Sequence, residues 1–130
     1  MRSIALILLL ITLTSFNSNR KEDEQKIIQK CFDLKGVMNF FHDEQLVILD
    51  NGKVSSKIKL TKFGQQVIFM TESELRKKNI KAFVVFHKLD IEKDSASVYF
   101  RYDIQGMGAE IKLEKRKSEW FVIAEKVYEN

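Results

Sequence analysis

Apolar residues recur at Ile27, Cys31, Leu34, Met38 and Phe41, at steps of four, three, four and three. That spacing marks one face of an α-helix. Ile28, Phe32, Val37 and Phe40 widen the stripe, as suits a helix lying on a sheet and not one surrounded by water. The pattern predicts a helix from an Asn19 N-cap, with Glu22 completing a capping box, to about His42. Glu22, Asp23 and Glu24 place negative charge at its positive end. Gly36 inside it costs about 1 kcal/mol relative to Ala, which a bend or a close approach would explain.

The middle of the chain is less regular. Leu46–Leu49 is a short apolar run followed by Asp50-Asn51-Gly52, and Asn-Gly is a strong tight-turn signal. Val54, Ser56, Ile58 and Leu60 then alternate with Lys53, Ser55, Lys57 and Lys59. The expected arrangement is a hairpin of 46–49 with 53–60. Val67–Met70 reads as another short strand, and Thr71 with Glu74 as the capping box of a short helix over 72–78.

From Phe83 onward four alternating segments are separated by turns at Glu92–Asp94, Gln105–Gly108 and Lys115–Ser118. Pairing Ile91 with Ser95, Ile104 with Ala109, and Glu114 with Glu119 puts Val84, Phe86, Val98, Phe100, Tyr102, Ile104, Ala109, Ile111, Leu113, Trp120, Val122 and Ala124 on one face. A slip of one residue would scramble such a face. The prediction is an α+β fold: a long N-terminal helix packed on a curved antiparallel sheet that ends in a four-stranded meander. The opposite face carries Tyr99, Arg101, Asp103, Glu110, Lys112 and Glu114 at its centre. Phe83, Val85 and His87 lie near one edge and Phe121 and Ile123 near the other.

The closing segment resembles the last three strands of small proteins of the cystatin-like and NTF2-like superfamilies. The resemblance rests on Ala96–Phe100, Ile104-Gln105-Gly106, Lys112–Lys115 and Glu119–Val122, where a Trp opens the final strand after a charged turn. It covers residues 83–127 well and the remainder in outline. An NTF2-like fold implies a pocket between helix and sheet, here lined by Phe32, Met38, Phe86, Phe100, Tyr102 and Trp120. An NTF2-like enzyme would place a His and an Asp inside that pocket. In the expected register His87 points away from the core, opposite Tyr99, and Asp103 lies opposite Phe83, too far for a dyad.

The N-terminus carries a different signal. Met1-Arg2-Ser3 precedes the apolar run Ile4–Leu13, and Thr14–Ser18 supplies small polar residues. This is the pattern of a secretory signal peptide over residues 1–18, with cleavage after Ser15 or Ser18. Ten helical residues span about 15 Å, roughly half a bilayer core, so no permanent membrane span is expected after cleavage. No Cys follows either cleavage position, so a lipoprotein is not expected. The reading is an exported protein, periplasmic or secreted, with one domain over 19–130.

Composition narrows the function classes. The 130 residues contain one Cys and no Pro, which excludes a disulfide framework and a Cys-rich zinc site. Ten Phe and 45% apolar residues argue against disorder. The 22 Lys and Arg against 18 Asp and Glu make the chain mildly basic. Interleaved carboxylates and export argue against nucleic acid as a partner, and the Lys-rich strands serve edge protection.

Candidate chemistry is sparse. His42 stands beside Asp43 and Glu44, but adjacent residues diverge in space and a helix-end His is favoured by the dipole alone. No metal or cofactor is expected. Cys31 lies in the apolar stripe, where a free Cys acts as a small hydrophobe. Gly106-Met107-Gly108 is too short to cradle a phosphate and reads as a hairpin turn. No catalytic constellation is found. The expectation is a non-enzymatic exported binding domain, of inhibitor or immunity type, contacting an unknown protein partner. Its contact surface would be Phe83, Val85, His87, Tyr99, Arg101, Phe121 and Ile123, and a homodimer through the same face is compatible with it. The alternative is a small-molecule-binding protein or enzyme of NTF2-like type.

Overall fold

The computed structural model describes residues 20–41 and 44–130. Its order is helix α1 (20–32), α2 (Lys35–Met38), β1 (Val47–Leu49), β2 (Thr61–Lys62), β3 (Gln65–Gln66), β4 (Ile68–Met70), α3 (Glu72–Lys77), β5 (Val84–Glu92), β6 (Ser95–Tyr102), β7 (Met107–Arg116) and β8 (Glu119–Glu129). Six strands form one mixed sheet in the order β4-β1-β5-β6-β7-β8, and β5 to β8 are the antiparallel meander. This is an α+β fold with the N-terminal helix on one sheet face.

The helical stripe is buried in its first half and at Phe41, while Leu34, Met38 and Phe40 are half-buried. Ile27, Ile28, Cys31, Phe32 and Val37 are all fully covered. Phe32 sits at the centre, its ring 5.5 Å from Phe41, 5.9 Å from Phe86 and 5.7 Å from Phe100. The expected single helix is broken, however. Leu34 takes an extended conformation (φ −65°, ψ 131°) and starts the separate turn α2. The break re-aims the chain so that Phe41 meets Phe32 and Tyr102 edge-on, the latter at 5.2 Å. The Asn19 cap and His42 lie outside the described residues.

At its start α1 is tied to the last hairpin. The Asp23 carboxylate accepts from Trp120 Nε1 at 3.0 Å and from Lys115 Nζ at 3.2 Å. The Lys115 amino group also lies 5.8 Å from the Trp120 ring centroid. The one Trp can be buried because its N–H finds this acceptor.

The expected hairpin of 46–49 with 53–60 does not form. β1 pairs in parallel with β4 (Ile48↔Phe69) and touches β5 in parallel at Ile48↔Val84. Asn51-Gly52 does turn the chain, with Gly52 at φ +82° and Asn51 accepting from Lys53 N. Asn51 Nδ2 donates to the Phe86 carbonyl at 2.9 Å and aims the next segment across the sheet. Residues 53–60 run as a strap over α1. Two of their N–H groups are taken by helix side chains, Ser55 N by Glu24 (3.0 Å) and Lys59 N by Gln25 (2.9 Å), as is Thr61 N just beyond, by Gln29 (3.0 Å). Gln29 also donates to the Thr61 carbonyl, while Lys62, itself buried, pairs with Asp33 at 3.0 Å. The strap buries Val54, Ile58 and Leu60, but Ser56, expected inside, is exposed. The strap keeps a strand's parity only in part, because a turn interrupts it, with Ile58 N donating to the Ser55 carbonyl at 3.4 Å. A small hairpin, β2 with β3, follows at Phe63-Gly64, where both residues have positive φ.

β4 and α3 form as the sequence predicts. Thr71 accepts from Glu74 N at 3.2 Å and the Glu74 carboxylate accepts from Thr71 N, completing the capping box. α3 lies over a second apolar cluster of Val47, Met70 and Leu75, flanked by Leu49, Ile68, Ile80 and Phe83.

In the meander the inward face is right; the β5–β6 register is the expected one from Val84 to Phe86 and shifts by one beyond His87, while the two later registers differ. β6 and β7 pair Tyr102 with Met107, four residues from the expected register. β7 and β8 pair Glu114 with Phe121, two residues away. Even shifts preserve which face a residue takes, so the core from Val98 to Trp120 is buried as predicted. Three exceptions have local causes. Ile104 enters a 3₁₀ turn, Asp103–Gln105, and is 48% exposed. Ala124 follows a bulge in β8 and turns outward. A bulge at His87 moves Ile91 from Ser95 onto Ala96 and brings Leu89 inward.

Asp23→Ala removes the acceptor of a buried indole N–H and the partner of Lys115. It is expected to cost about 2–3 kcal/mol, read as a lower urea midpoint at unchanged slope, with Asp23→Asn costing less because it keeps an acceptor.

Candidate functional site

The sheet face away from α1 is bare over the meander. Pairing aligns its side chains in rows: Val85, Arg101, Gly108 and Tyr128 in one, Lys88, Tyr99, Glu110 and Lys126 in the next. Gly108 leaves a gap in the first row, and the Tyr128 ring fills it. A Cβ built at Gly108 would fall 2.6 Å from Tyr128 Cζ, so the ring lies flat on the glycine backbone, a known way of covering a strand glycine. From there Tyr128 donates its hydroxyl hydrogen to Tyr99 Oη at 3.2 Å. The Arg101 guanidinium carbon stands 5.9 Å from the Tyr128 ring centroid. Arg101 is itself held by Asp103, Nε to Oδ1 at 2.7 Å. On the other side of Tyr99 the His87 ring packs at 5.3 Å and 30°.

The two phenols are pushed apart electrostatically. The hydrogen bond from Tyr128, followed by that from Arg101, favours the Tyr99 phenolate and lowers its pKa below the ordinary 10. Tyr128, the donor, is raised, first by that same bond and then by desolvation. Beside the cluster an open groove of about 460 Å³ is floored by Ser97 and Ala124 and walled by Lys88, Tyr99, Glu110, Lys112 and Lys126.

Of the residues the sequence proposes for a contact surface, His87, Tyr99 and Arg101 come together here, with Val85 half-buried beside Arg101. Phe83 does not join them; it packs into the apolar cluster under α3. Phe121 (40% exposed) and Ile123 (53% exposed) lie on β8 toward its hairpin end, with the Arg116 guanidinium 5.8 Å from the Phe121 ring. Gly108 and Tyr128 were missed by sequence reasoning. Their partnership appears only once the β8 bulge is known, because the bulge sets which β8 residue faces Gly108.

Of the proposed pocket residues, three meet in the packed core and the others lie apart from them. Phe86 and Phe100 pack on Phe32 and on each other, the latter at 5.2 Å. Met38 is half-buried, and Trp120 is engaged with Asp23. Tyr102 instead borders a hollow of about 390 Å³ with Glu44, Lys81, Leu46 and Ile80. Burial, and then the Glu44 charge, raise its phenol pKa. Burial alone pushes the Cys31 thiol far up, which leaves it protonated and inert. Among the described residues no group of three His, Cys, Asp or Glu is placed to hold a metal ion, and no helix is long and apolar enough to cross a membrane.

The chain has three tyrosines, so a spectrophotometric titration resolves them. One, Tyr99, is expected to ionise below the ordinary range and two above it; Tyr128→Phe should move the first upward, and an unchanged first transition would contradict the hydrogen-bonded pair.

The chain matches no protein-family model, and neither a curated protein nor a solved structure is found similar to it.

Proposed function

We propose that the chain is an exported, non-enzymatic protein-binding domain of inhibitor or immunity type, within a cystatin-like or NTF2-like architecture. Its contact surface is the outer face of β6, β7 and β8. The observation that carries the reading is the Tyr99–Arg101–Tyr128 cluster on an otherwise uncovered sheet. Tyr and Arg are the residue types that anchor protein interfaces. Here they are already held in place by one another, by Gly108 and by Asp103. Rigid anchors lose little side-chain entropy on binding. His87 and the mixed charges of Lys88, Glu110, Lys112 and Lys126 give the rim the polar character of such interfaces. The residue 1–18 pattern of charge, apolar run and small residues supports export.

A second reading, a small-molecule binder, is favoured by the hollow at Tyr102. It is mostly apolar, with the Tyr102 hydroxyl, the Glu44 carboxylate, the Gln45 amide and the Lys81 amine at its edge, which matches the make-up of ligand pockets.

The first reading is tested by capturing a stoichiometric protein partner from the native envelope fraction and titrating it against purified variants. Arg101→Glu and Tyr99→Asp are expected to weaken binding by about a hundredfold, the effect of losing an interface anchor. Wild-type affinity in both removes this face from the interface. For the second reading, a metabolite panel in a thermal-shift assay should give a ligand whose stabilisation disappears in Tyr102→Phe or Lys81→Ala; unaltered melting across the panel counts against it.

A further inference from the structure

We propose that the hollow at Tyr102 binds a zwitterionic α-amino acid with an apolar side chain. The proposal rests on the small-molecule reading of that hollow and names its ligand. The hollow exists because β1 and β5 part. The two strands run in parallel but pair only at Ile48↔Val84. Had the pairing continued toward their N-terminal ends, Leu46 would lie opposite Ala82 and Gln45 opposite Lys81. On its other edge β1 stays bonded to β4, with Ile68 N donating to the Leu46 carbonyl at 3.1 Å. The space of about 390 Å³ beside the parted chains takes Leu46 and Tyr102 from the core under α1, and Val47, Met70 and Ile80 from the cluster under α3. Its size is at the small end of ligand sites.

Three polar groups define what fits. Tyr102 is 3% exposed, and its hydroxyl makes no hydrogen bond among the described residues. No buried side-chain polar atom of the described residues is cut off without a partner, so this hydroxyl opens into the hollow. Burial and the Glu44 charge keep it protonated, and hence a donor. Glu44 stands on the β1 side and Lys81 on the β5 side, both exposed. Neither makes an ion pair among the described residues, with each other or with a third group. Gln45, between them, is held by its amide on the Gln66 carbonyl at 2.9 Å.

An α-amino acid uses all three groups at once. Its ammonium pairs with Glu44, its carboxylate with Lys81 and the Tyr102 hydroxyl, and its side chain enters among Leu46, Val47 and Ile80. Glu44 and Lys81 are long and exposed, so they can close on two charges that are one carbon apart. A plain amine leaves Lys81 and the hydroxyl without an acceptor. A plain acid brings a second carboxylate beside Glu44. A longer peptide separates its charged ends, and one of them leaves the hollow. Charge-assisted hydrogen bonds are the strong ones, so each missing charge should be felt.

The test is isothermal titration calorimetry of the full chain with L-leucine, L-methionine and L-phenylalanine. At least one is expected to bind saturably, one per chain. Its N-acetyl derivative, which lacks the ammonium, and its amide, which lacks the carboxylate, should each bind about tenfold or more weakly. Glu44→Gln and Lys81→Gln should each weaken the amino acid by about the same factor. Both side chains are exposed, so melting without ligand should stay at the wild-type value. Glu44→Gln should cost the N-acetyl derivative nothing further, which assigns the ammonium to this carboxylate. Failure of all three amino acids to bind, or equal binding of the blocked forms, overturns the proposal. The small-molecule reading falls separately: it survives that failure if a metabolite panel yields another ligand lost in Tyr102→Phe, and a silent panel removes both.

Discussion

Phe32 is where the helix, the sheet and the segment after the helix meet. Its ring packs against Phe86 and Phe100 from two neighbouring strands and against Phe41 from beyond the helix break. A side chain so placed fixes the height and rotation of α1 over the sheet. Once α1 is fixed, its length is the next constraint. Thirteen helical residues, 20–32, span about 20 Å, too little to cover a six-stranded sheet. The strap covers part of what remains, with Val54, Ile58 and Leu60 facing inward. A segment outside the sheet must still satisfy its backbone. Glu24, Gln25 and Gln29, one polar edge of α1, take Ser55, Lys59 and Thr61 N–H, and Asn51 and Ser55 take others within the segment. The helix therefore serves both layers: its apolar stripe holds the sheet, and its polar edge takes the place of a neighbouring strand.

That double use explains what could be read from the sequence. Period and parity are local properties, and both were legible: the stripe from Ile27 to Val37, the capping box at Thr71 and Glu74, and the inward face of four strands. Register was legible only for the first pair of strands, from Val84 to Phe86; across the two later hairpins it was not, because a turn can tighten or lengthen by pairs of residues while the strands keep their inward faces. Moving the β6–β7 pairing by four residues displaced only Ile104, which had no core position to keep. Bulges were invisible for a related reason. His87 and Ile123 are extra residues between two correctly phased runs, and each run looks regular by itself. The strap was misread because its alternation is that of a strand. What separates the two is the identity of the hydrogen-bond acceptors, which come from residues some thirty positions away.

The candidate site was half legible by the same logic. Tyr99 and Arg101 alternate with core residues on β6, so parity alone sends them outward. Tyr128 depends on the β8 bulge, and its role depends on Gly108 having no side chain. The glycine does more than make room. It lets the Tyr128 ring lie against the backbone, which brings its hydroxyl to that of Tyr99, where Tyr128 donates and Tyr99 accepts. The opposite pKa directions of the two phenols follow from that one assignment.

The two faces of the sheet have been given unlike chemistry by unlike means. On the outer face most charges are locally paired, Arg101 with Asp103, Lys88 with Asp90 and Arg116 with Glu114, and aromatic rings supply the distinctive surface. On the α1 and strap face Lys26, Lys30 and Lys59 line a shallow groove that also holds Asp33. The strap is fastened by helix side chains bonded to its backbone and by the buried Lys62 paired with Asp33, whereas Lys57 and Lys59 are exposed and contribute little to the fold.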